Sequence, residues 1–244
     1  MRGSGPHVSL TRRVVAEGVG TAFLLATVIG SGIMGERLAG GNVALALLAN
    51  TIATGAGLLA LILTFGGVSG AHFNPAVSVA DASQGGIAWR DVGAYVAAQL
   101  LGAFAGVALA HLMFDAPLFS ASRHVRSGFG QLAGEFVATF GLIAVIRGSS
   151  RAAGAMTPFA VAAYITAAYW FTSSTSFANP AVTLARAASD TFAGIRPTDA
   201  PGFIAAQSLG AGGAILLLRW LMPNRPAVSN GIPITTSGNE ENAA

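Results

Sequence analysis

The stretches HFNPAVSVAD at His72–Asp81 and SFANPAVTLAR at Ser176–Arg186 decide the fold of this chain. Each contains the same tripeptide, Asn74-Pro75-Ala76 in the first and Asn179-Pro180-Ala181 in the second. Proline suits the first turn of a helix, where its missing N–H costs no hydrogen bond, and asparagine suits the cap position before it. Each stretch therefore predicts the start of a helix, and each is too short to cross a bilayer.

Around these two stretches lie six apolar runs close to the roughly 20 residues that a helix needs to cross a bilayer. The chain is 53% hydrophobic and 9% charged, whereas an average soluble domain is roughly 25% charged. The runs cover residues 14–33, 43–64, 89–113, 128–146, 153–171 and 201–221. The sequence predicts an all-α membrane protein with six transmembrane helices and two re-entrant half-helices.

The chain also contains two copies of one unit. Glu17 in EGVGTAF matches Glu135 in GEFVATF, and Gln99 in QLLGAFAG matches Gln207 in QSLGAGG. Each copy holds three spans, so the second copy enters the membrane from the opposite side and the repeats are inverted. We predict one domain over residues 11–222, with repeats at about 11–113 and 128–222, and polar tails at 1–10 and 223–244.

Composition excludes several classes of protein. The sequence has no cysteine, which rules out disulfides, thiolate metal sites and cysteine nucleophiles. It has no lysine, and its thirteen arginines are spread over connections and helix ends, which argues against nucleic-acid binding. Because no cluster has nucleophile or metal-ligand spacing, we expect no enzyme activity, cofactor or metal. Eight of the thirteen arginines fall on one predicted side of the membrane, and arginine is enriched on the cytoplasmic side. We therefore expect both termini to be cytoplasmic. We also expect the protein to lie in the plasma membrane, which is the inner membrane in a bacterium.

Two half-helices that begin at the membrane centre would each place about half a positive charge there. That charge repels protons and cations, while the side-chain amides of Asn74 and Asn179 can donate hydrogen bonds to a passing neutral molecule. The paired tripeptides, each after two or five apolar spans, and the matched glutamates resemble the aquaporin family, also called major intrinsic proteins. The resemblance covers about residues 14–221 and implies a homotetramer in the lipid bilayer with one pore per protomer.

Glu17 and Glu135 are ionisable groups inside predicted spans, and such groups are often functional. A proton relay is one interpretation. The other, implied by the resemblance and favoured here, is that each carboxylate accepts backbone hydrogen bonds from its re-entrant loop. His72 has the same two possibilities, since it can pack the loop or act as a pH gate, and we favour packing.

Most aquaporins carry an arginine three residues after the second asparagine, in a ring of four side chains that filters solutes. This chain has Val182 there. Counting from the asparagines places Thr54, Ala167 and Ser176 at the other three positions. All four side chains are small, so the resemblance implies a wider and less polar ring. Arg186 lies one turn beyond Val182; it either lines the outer vestibule or is an interfacial residue at the helix end, and we favour the latter.

These features predict a passive channel for small uncharged solutes that excludes protons and ions. Valine at the arginine position resembles bacterial channels associated with arsenic resistance, which implies glycerol- and urea-sized molecules, arsenite or methylated arsenicals, and water as solutes. One alternative is a water-selective channel narrowed by Phe177, Tyr169 or Trp170. Another is an ion-coupled transporter, since inverted repeats and broken helices also occur in that class.

Overall fold

The computed structural model describes residues 8–222, so most of the predicted N-terminal tail and all of the predicted C-terminal tail lie outside the described residues. The described chain is helical, as predicted. Its eight α-helices are α1 Leu10–Leu38, α2 Val43–Ser69, α3 Pro75–Ser83, α4 Trp89–Met113, α5 Phe129–Ala153, α6 Thr157–Phe171, α7 Pro180–Arg186 and α8 Ala200–Leu221.

Six helices are long and two, α3 and α7, are short. Five helical runs between residues 8 and 222 are long and apolar enough to cross a membrane. The count is five rather than six because α5 and α6 form one run over Phe129–Phe171, broken only by the 3-10 turn Gly154–Met156. Proline in the first turn of α6 fits this restart, since it has no N–H to donate backward into the preceding helix.

Polar side chains cap the starts of α1 and α2, and a glycine follows the end of α2. The Ser9 hydroxyl accepts a hydrogen bond from the Arg12 N–H at the start of α1, and the Asn42 side chain accepts one from the Leu45 N–H at the start of α2. Helix α2 ends at Gly70, whose φ of 91° is a left-handed conformation that glycine adopts without a side-chain clash. The chain then turns directly into the first Asn-Pro-Ala loop.

Helix packing repeats between the two halves. In the first half α1 packs against α2 and α4, and in the second half the equivalent α5 packs against α6 and α8. Each half-helix contacts a long helix of the other repeat, since α7 packs on α4 and α3 packs on α8. The halves also meet directly where α2 packs on α6. The two repeats therefore enclose a common axis at which both half-helices begin.

Glycines allow the helices to cross closely at matching points. A Cβ atom at Gly102 would clash with the backbone carbonyl of Gly18, where α4 crosses α1. A Cβ atom at Gly210 would clash with the carbonyl of Phe136, where α8 crosses α5. Both glycines lie three residues after the matched glutamines, Gln99 and Gln207. Small residues at such crossings are typical of membrane helices, and here they bring each glutamine beside its glutamate.

Candidate functional site

The two Asn-Pro-Ala turns meet and hold each other through their asparagines. The Asn74 Nδ2 atom donates to the carbonyl of Ala178 at 2.7 Å, and the Asn179 Nδ2 atom donates to the carbonyl of Phe73 at 2.7 Å. Each Oδ1 atom caps its own helix, accepting from the N–H of Ala76 at 2.9 Å or Ala181 at 3.0 Å. A side-chain amide carries two N–H groups, so each asparagine retains one donor that is not used in this junction.

The loops before the turns have an unusual backbone. Ala71, Phe73, Ser176 and Ala178 all have φ values between 49° and 50°, a region that side chains other than glycine rarely enter. These residues lie one and three positions before the two asparagines, so both loops have the same conformation. Such strain persists only where the surroundings hold it in place.

Glu17 holds the first loop. Its Oε1 atom accepts from the Ser69 hydroxyl at 2.6 Å and from the His72 N–H at 2.9 Å. Its Oε2 atom accepts from the Phe73 N–H at 2.7 Å and from Gln99 Nε2 at 2.8 Å. The side chain is fully buried. These four hydrogen bonds use the carboxylate to stabilise the loop.

Glu135 holds the second loop in the same way. It accepts from the N–H groups of Phe177 at 2.8 Å and Ala178 at 2.9 Å, and from Gln207 Nε2 at 2.6 Å. Gln207 also donates to the Thr183 hydroxyl on α7, just as Gln99 donates to the Ser78 hydroxyl on α3. Each glutamate and its glutamine therefore tie a re-entrant loop, a half-helix and two long helices together.

A cavity of about 520 Å³ runs past both asparagines. At one end it is lined by His72, Asp81 and Arg147, on the side where α3 and the 3-10 turn lie. Asn74 and Asn179 line its middle. Towards the other end it is lined by residues of α2, α6, the second loop and α7: Thr54, Tyr169, Ser176, Phe177, Val182 and Arg186. One cavity therefore joins the surroundings of His72 to those of Arg186 and passes both Asn-Pro-Ala turns on the way.

Three of the four predicted ring residues line this cavity. They are Thr54, Ser176 and Val182, and each is buried. The fourth, Ala167, is exposed and does not line it, so that prediction is wrong. Tyr169 takes its place: it is 3% exposed, and its hydroxyl donates to Thr54 Oγ1 at 3.3 Å.

The error at Ala167 arises from helix register. Counting back from Asn179 assumes a loop of standard length between α6 and α7. Two residues rotate a side chain by about 200° around a helix, so a loop that differs by two residues exchanges the pore face for the outer face. Trp170 is half exposed and points away from the pore, whereas Tyr169 and Phe177 place aromatic rings in the lining. The ring is therefore not composed only of small side chains.

The interpretation of Arg186 as an interfacial residue is also wrong. Arg186 is 2% exposed and lines the cavity. Its Nε–H donates to the Ala193 carbonyl, and its guanidinium carbon lies 3.3 Å from the centroid of the Phe177 ring. The side chain is held inward because the loop after α7 folds back over the half-helix and offers that carbonyl.

His72 lies at the opposite end of the cavity, beside α3. Its Nδ1 atom is 3.0 Å from the Ser78 hydroxyl and its Nε2 atom is 3.7 Å from Asp81 Oδ2. The ring thus packs the loop and also faces the cavity together with a carboxylate. Both interpretations of His72 stay open.

Sequence reasoning missed Arg126, in the loop between α4 and α5. It donates to the carbonyls of Gly194 at 2.8 Å and Ser174 at 3.2 Å, and its guanidinium lies 5.0 Å from the Phe177 ring. Burial lowers the pKa of Arg126 to about 10. It joins three segments around the outer end of the pore. Its charge is the only feature of the sequence that suggests a role in the site. Because the connection contains several arginines, the sequence does not show which of them turns inward.

Comparisons with known proteins agree with this architecture. The family model described as "Major intrinsic protein" matches residues 5–167. The chain is 56% identical to "Aquaglyceroporin AqpS" of Rhizobium meliloti (strain 1021) over 227 residues, which are 93% of this chain and 97% of that protein.

More distant relatives extend the comparison. The chain is 36% identical to "Aquaporin NIP1-3" of Oryza sativa subsp. japonica over 184 residues, which cover 72% of this chain and 63% of that protein. Among solved structures, the aquaglyceroporin from Plasmodium falciparum matches with a TM-score of 0.66 and 20% identity, covering 86% of this chain and 96% of that one. That likeness concerns the fold alone. From the matching family model and these relatives, the chain belongs to the major intrinsic protein family and is a membrane channel for small solutes rather than an enzyme.

Proposed function

We propose that this channel passes neutral, oxygen-rich solutes of glycerol or urea size, metalloid hydroxides such as arsenite or methylated arsenicals, and water, and that it excludes protons and ions. The observation that carries the proposal is Val182, a small uncharged side chain in the cavity lining one turn beyond Asn179. An arginine at this position would fill part of the ring. Without it, the ring has room for solutes larger than water.

The chemistry of the ring supports amphipathic solutes. Val182 and the Tyr169 ring give it apolar surface, while the Thr54 hydroxyl and the tyrosine hydroxyl offer hydrogen bonds. A polyol or a trihydroxide presents oxygens on one side and can keep a less polar side against the valine. The name of the R. meliloti relative, an aquaglyceroporin, agrees with glycerol-sized cargo.

At the centre of the pore, each of Asn74 and Asn179 retains an amide N–H that is not used in the junction between the turns. A solute oxygen passing here exchanges its hydration for these donors in sequence. The two half-helix N-termini add positive potential at the same point, which opposes protons and cations. A neutral solute experiences only the hydrogen bonds.

Water selectivity is the second candidate, and the aromatic side chains favour it. Tyr169 and Phe177 both line the outer half of the cavity, and the Tyr169 hydroxyl reaches Thr54 across the ring. If that hydrogen bond persists during permeation, the opening narrows towards the size of water. Glycerol and arsenite fluxes separate the two functions.

The test is arsenite entry into proteoliposomes at neutral pH, where the acid is uncharged, compared with glycerol entry into the same vesicles. We expect both solutes to enter faster than into empty vesicles. Rapid water flow with glycerol and arsenite at empty-vesicle rates would establish the water-selective alternative. Glycerol entry without arsenite entry would remove the metalloid part of the proposal and leave the rest.

A further inference from the structure

Arg186 occupies an unusual place for a charged side chain. It is the last residue of α7, one turn beyond Val182, and it is among the largest fully buried side chains of the described protein. It lines the same cavity as Val182, Tyr169 and Thr54. The cation that is missing at position 182 is therefore present nearby, one helical turn of about 5.4 Å further along the half-helix.

The guanidinium of Arg186 is only partly used by the protein. Between residues 8 and 222 it makes no salt bridge, and of its five N–H groups only Nε–H has a backbone acceptor, the Ala193 carbonyl. One face stacks on Phe177, and the Tyr169 hydroxyl is a further hydrogen-bond partner of the guanidinium. A buried charge without a counter-ion is costly unless water or a ligand solvates it. The cavity that Arg186 lines is the space from which water or a solute oxygen can reach its remaining N–H groups.

Arg126 differs from Arg186 in how many of its N–H groups have acceptors in the protein. It lies on Phe177 as well, but its N–H groups are occupied by the carbonyls of Gly194, Ser174 and Phe192 and by the Thr175 hydroxyl. It does not line the cavity. Of these two arginines, Arg126 is held by four acceptors in the loops, whereas Arg186 has one backbone acceptor and lines the pore.

The backbone around Arg186 fixes its direction. Its carbonyl accepts from the N–H groups of Ser189 at 3.2 Å and Ile195 at 3.4 Å, so the loop that carries Ala193 is closed over the end of α7. Ala193 is itself 1% exposed and packs close to Gly32 of α1. The side chain is thus pre-positioned between the Phe177 ring and this carbonyl, and little freedom is left for it to swing away.

We propose that Arg186 is the charged residue of the selectivity filter in this channel: it repels cations and donates to solute oxygens from one turn beyond Val182. The proposal rests on the function proposed above and adds a residue to it. Since the guanidinium lies against an aromatic ring instead of projecting from position 182, it supplies charge without filling the space beside Val182. A wide ring and cation exclusion are then compatible.

The experiment compares R186Q with R123Q in proteoliposomes, recording glycerol entry and sodium leak on the same preparations. Arg123 is a matched control: it is on the same side of the protein, its side chain is 90% exposed, and it pairs with Asp190. We expect R186Q to admit glycerol faster than empty vesicles and to leak sodium about tenfold faster than wild type, a loss of barrier of about 1.4 kcal/mol. The sodium leak of R123Q vesicles should be no greater than that of wild type. The sodium leak of R186K, which keeps the charge, should be smaller than that of R186Q.

A glycerol-conducting R186Q that stays as tight to sodium as wild type would overturn the proposal. Wild-type vesicles without glycerol entry would instead overturn the proposed function, so the two failures are distinguishable.

If R186Q does not fold, the V182C variant tests the proposal instead. It leaves Arg186 intact and places a single thiol beside it, because the chain has no other cysteine. Modification by an anionic thiosulfonate should be favoured over a cationic one, relative to their rates with a free thiol. A ratio equal to that of the free thiol, or one favouring the cation, would contradict a positive charge beside position 182.

Discussion

At the scale of single residues, Val182 and Tyr169 both line the pore cavity. Val182 could be located from the sequence because it lies three residues after Asn179, within the helix that the asparagine caps. Tyr169 could not, because its position depends on the length of the loop that follows α6. Val182 therefore lines the cavity, as counted from the sequence, whereas Ala167 does not.

Replacing Val182 with arginine should narrow the ring and add a second cation beside Arg186. We expect glycerol permeability to fall by about tenfold, corresponding to roughly 1.4 kcal/mol of added barrier, and water permeability to fall by a smaller factor. Stopped-flow light scattering on proteoliposomes measures both. V182L is the control for bulk without charge and should reduce glycerol entry less. If V182R leaves glycerol permeability unchanged, position 182 does not contribute to the constriction.

Glu17 should be more important for stability than its place outside the pore lining suggests. In E17Q an amide N–H₂ replaces a carboxylate oxygen that accepts from the Phe73 N–H and Gln99 Nε2, so two donors face each other. We expect a loss of about 1–3 kcal/mol for each buried group left without a partner. Thermal unfolding in detergent should show a lower midpoint for E17Q. E36Q, an exposed change on the same helix, should unfold like wild type, and an E17Q midpoint equal to that of E36Q would contradict the role assigned to Glu17.

At the scale of the elements, the helices follow from hydropathy and caps, and the half-helices follow from the Asn-Pro-Ala turns. The rotation of α6 about its own axis cannot be predicted in this way. Its sequence from Thr157 to Phe171 is apolar on all sides and has no polar face that would mark the pore side. The side of α6 that faces the pore is determined by the size of its side chains and by the hydrogen bond between Tyr169 and Thr54. That contact joins residues 115 positions apart, so no local pattern reveals it.

Single cysteines should report the rotation of α6 directly. The natural chain has no cysteine, so its glycerol flux should resist mercurials. Y169C should be blocked by mercuric chloride because its thiol faces the cavity, whereas A167C should be resistant because its thiol faces outward. The measurement is glycerol-induced swelling before and after the reagent. Block of A167C with resistance of Y169C would reverse the assignment and restore the register counted from Asn179.

At the scale of the whole molecule, the inverted repeat was predictable because the same sequence motifs occur in both halves of the chain. The matched glutamates, glutamines and tripeptides fall at equivalent points, and the packing of α1 with α4 and of α5 with α8 follows from them. What the repeat does not determine is the outer end of the pore. There the two halves differ, and the loop after α7 turns Arg186 inward through Ala193, a contact that neither repeat contains as a pattern.

In a passive channel, a solute moves down its own gradient and needs no coupling ion. Glycerol entry should rise in proportion to its gradient and should be unaffected by a protonophore. An ion-coupled transporter would instead show saturation and loss of uptake when the proton gradient collapses. Dose dependence with and without the protonophore distinguishes the two.

The most direct test is a single stopped-flow trace of wild-type proteoliposomes mixed with hyperosmotic glycerol. We expect rapid shrinkage as water leaves, followed by reswelling faster than in empty vesicles as glycerol enters through the cavity lined by Asn74, Asn179 and Val182. Rapid shrinkage followed by reswelling at the empty-vesicle rate would contradict it, because the pore would then pass water and exclude glycerol.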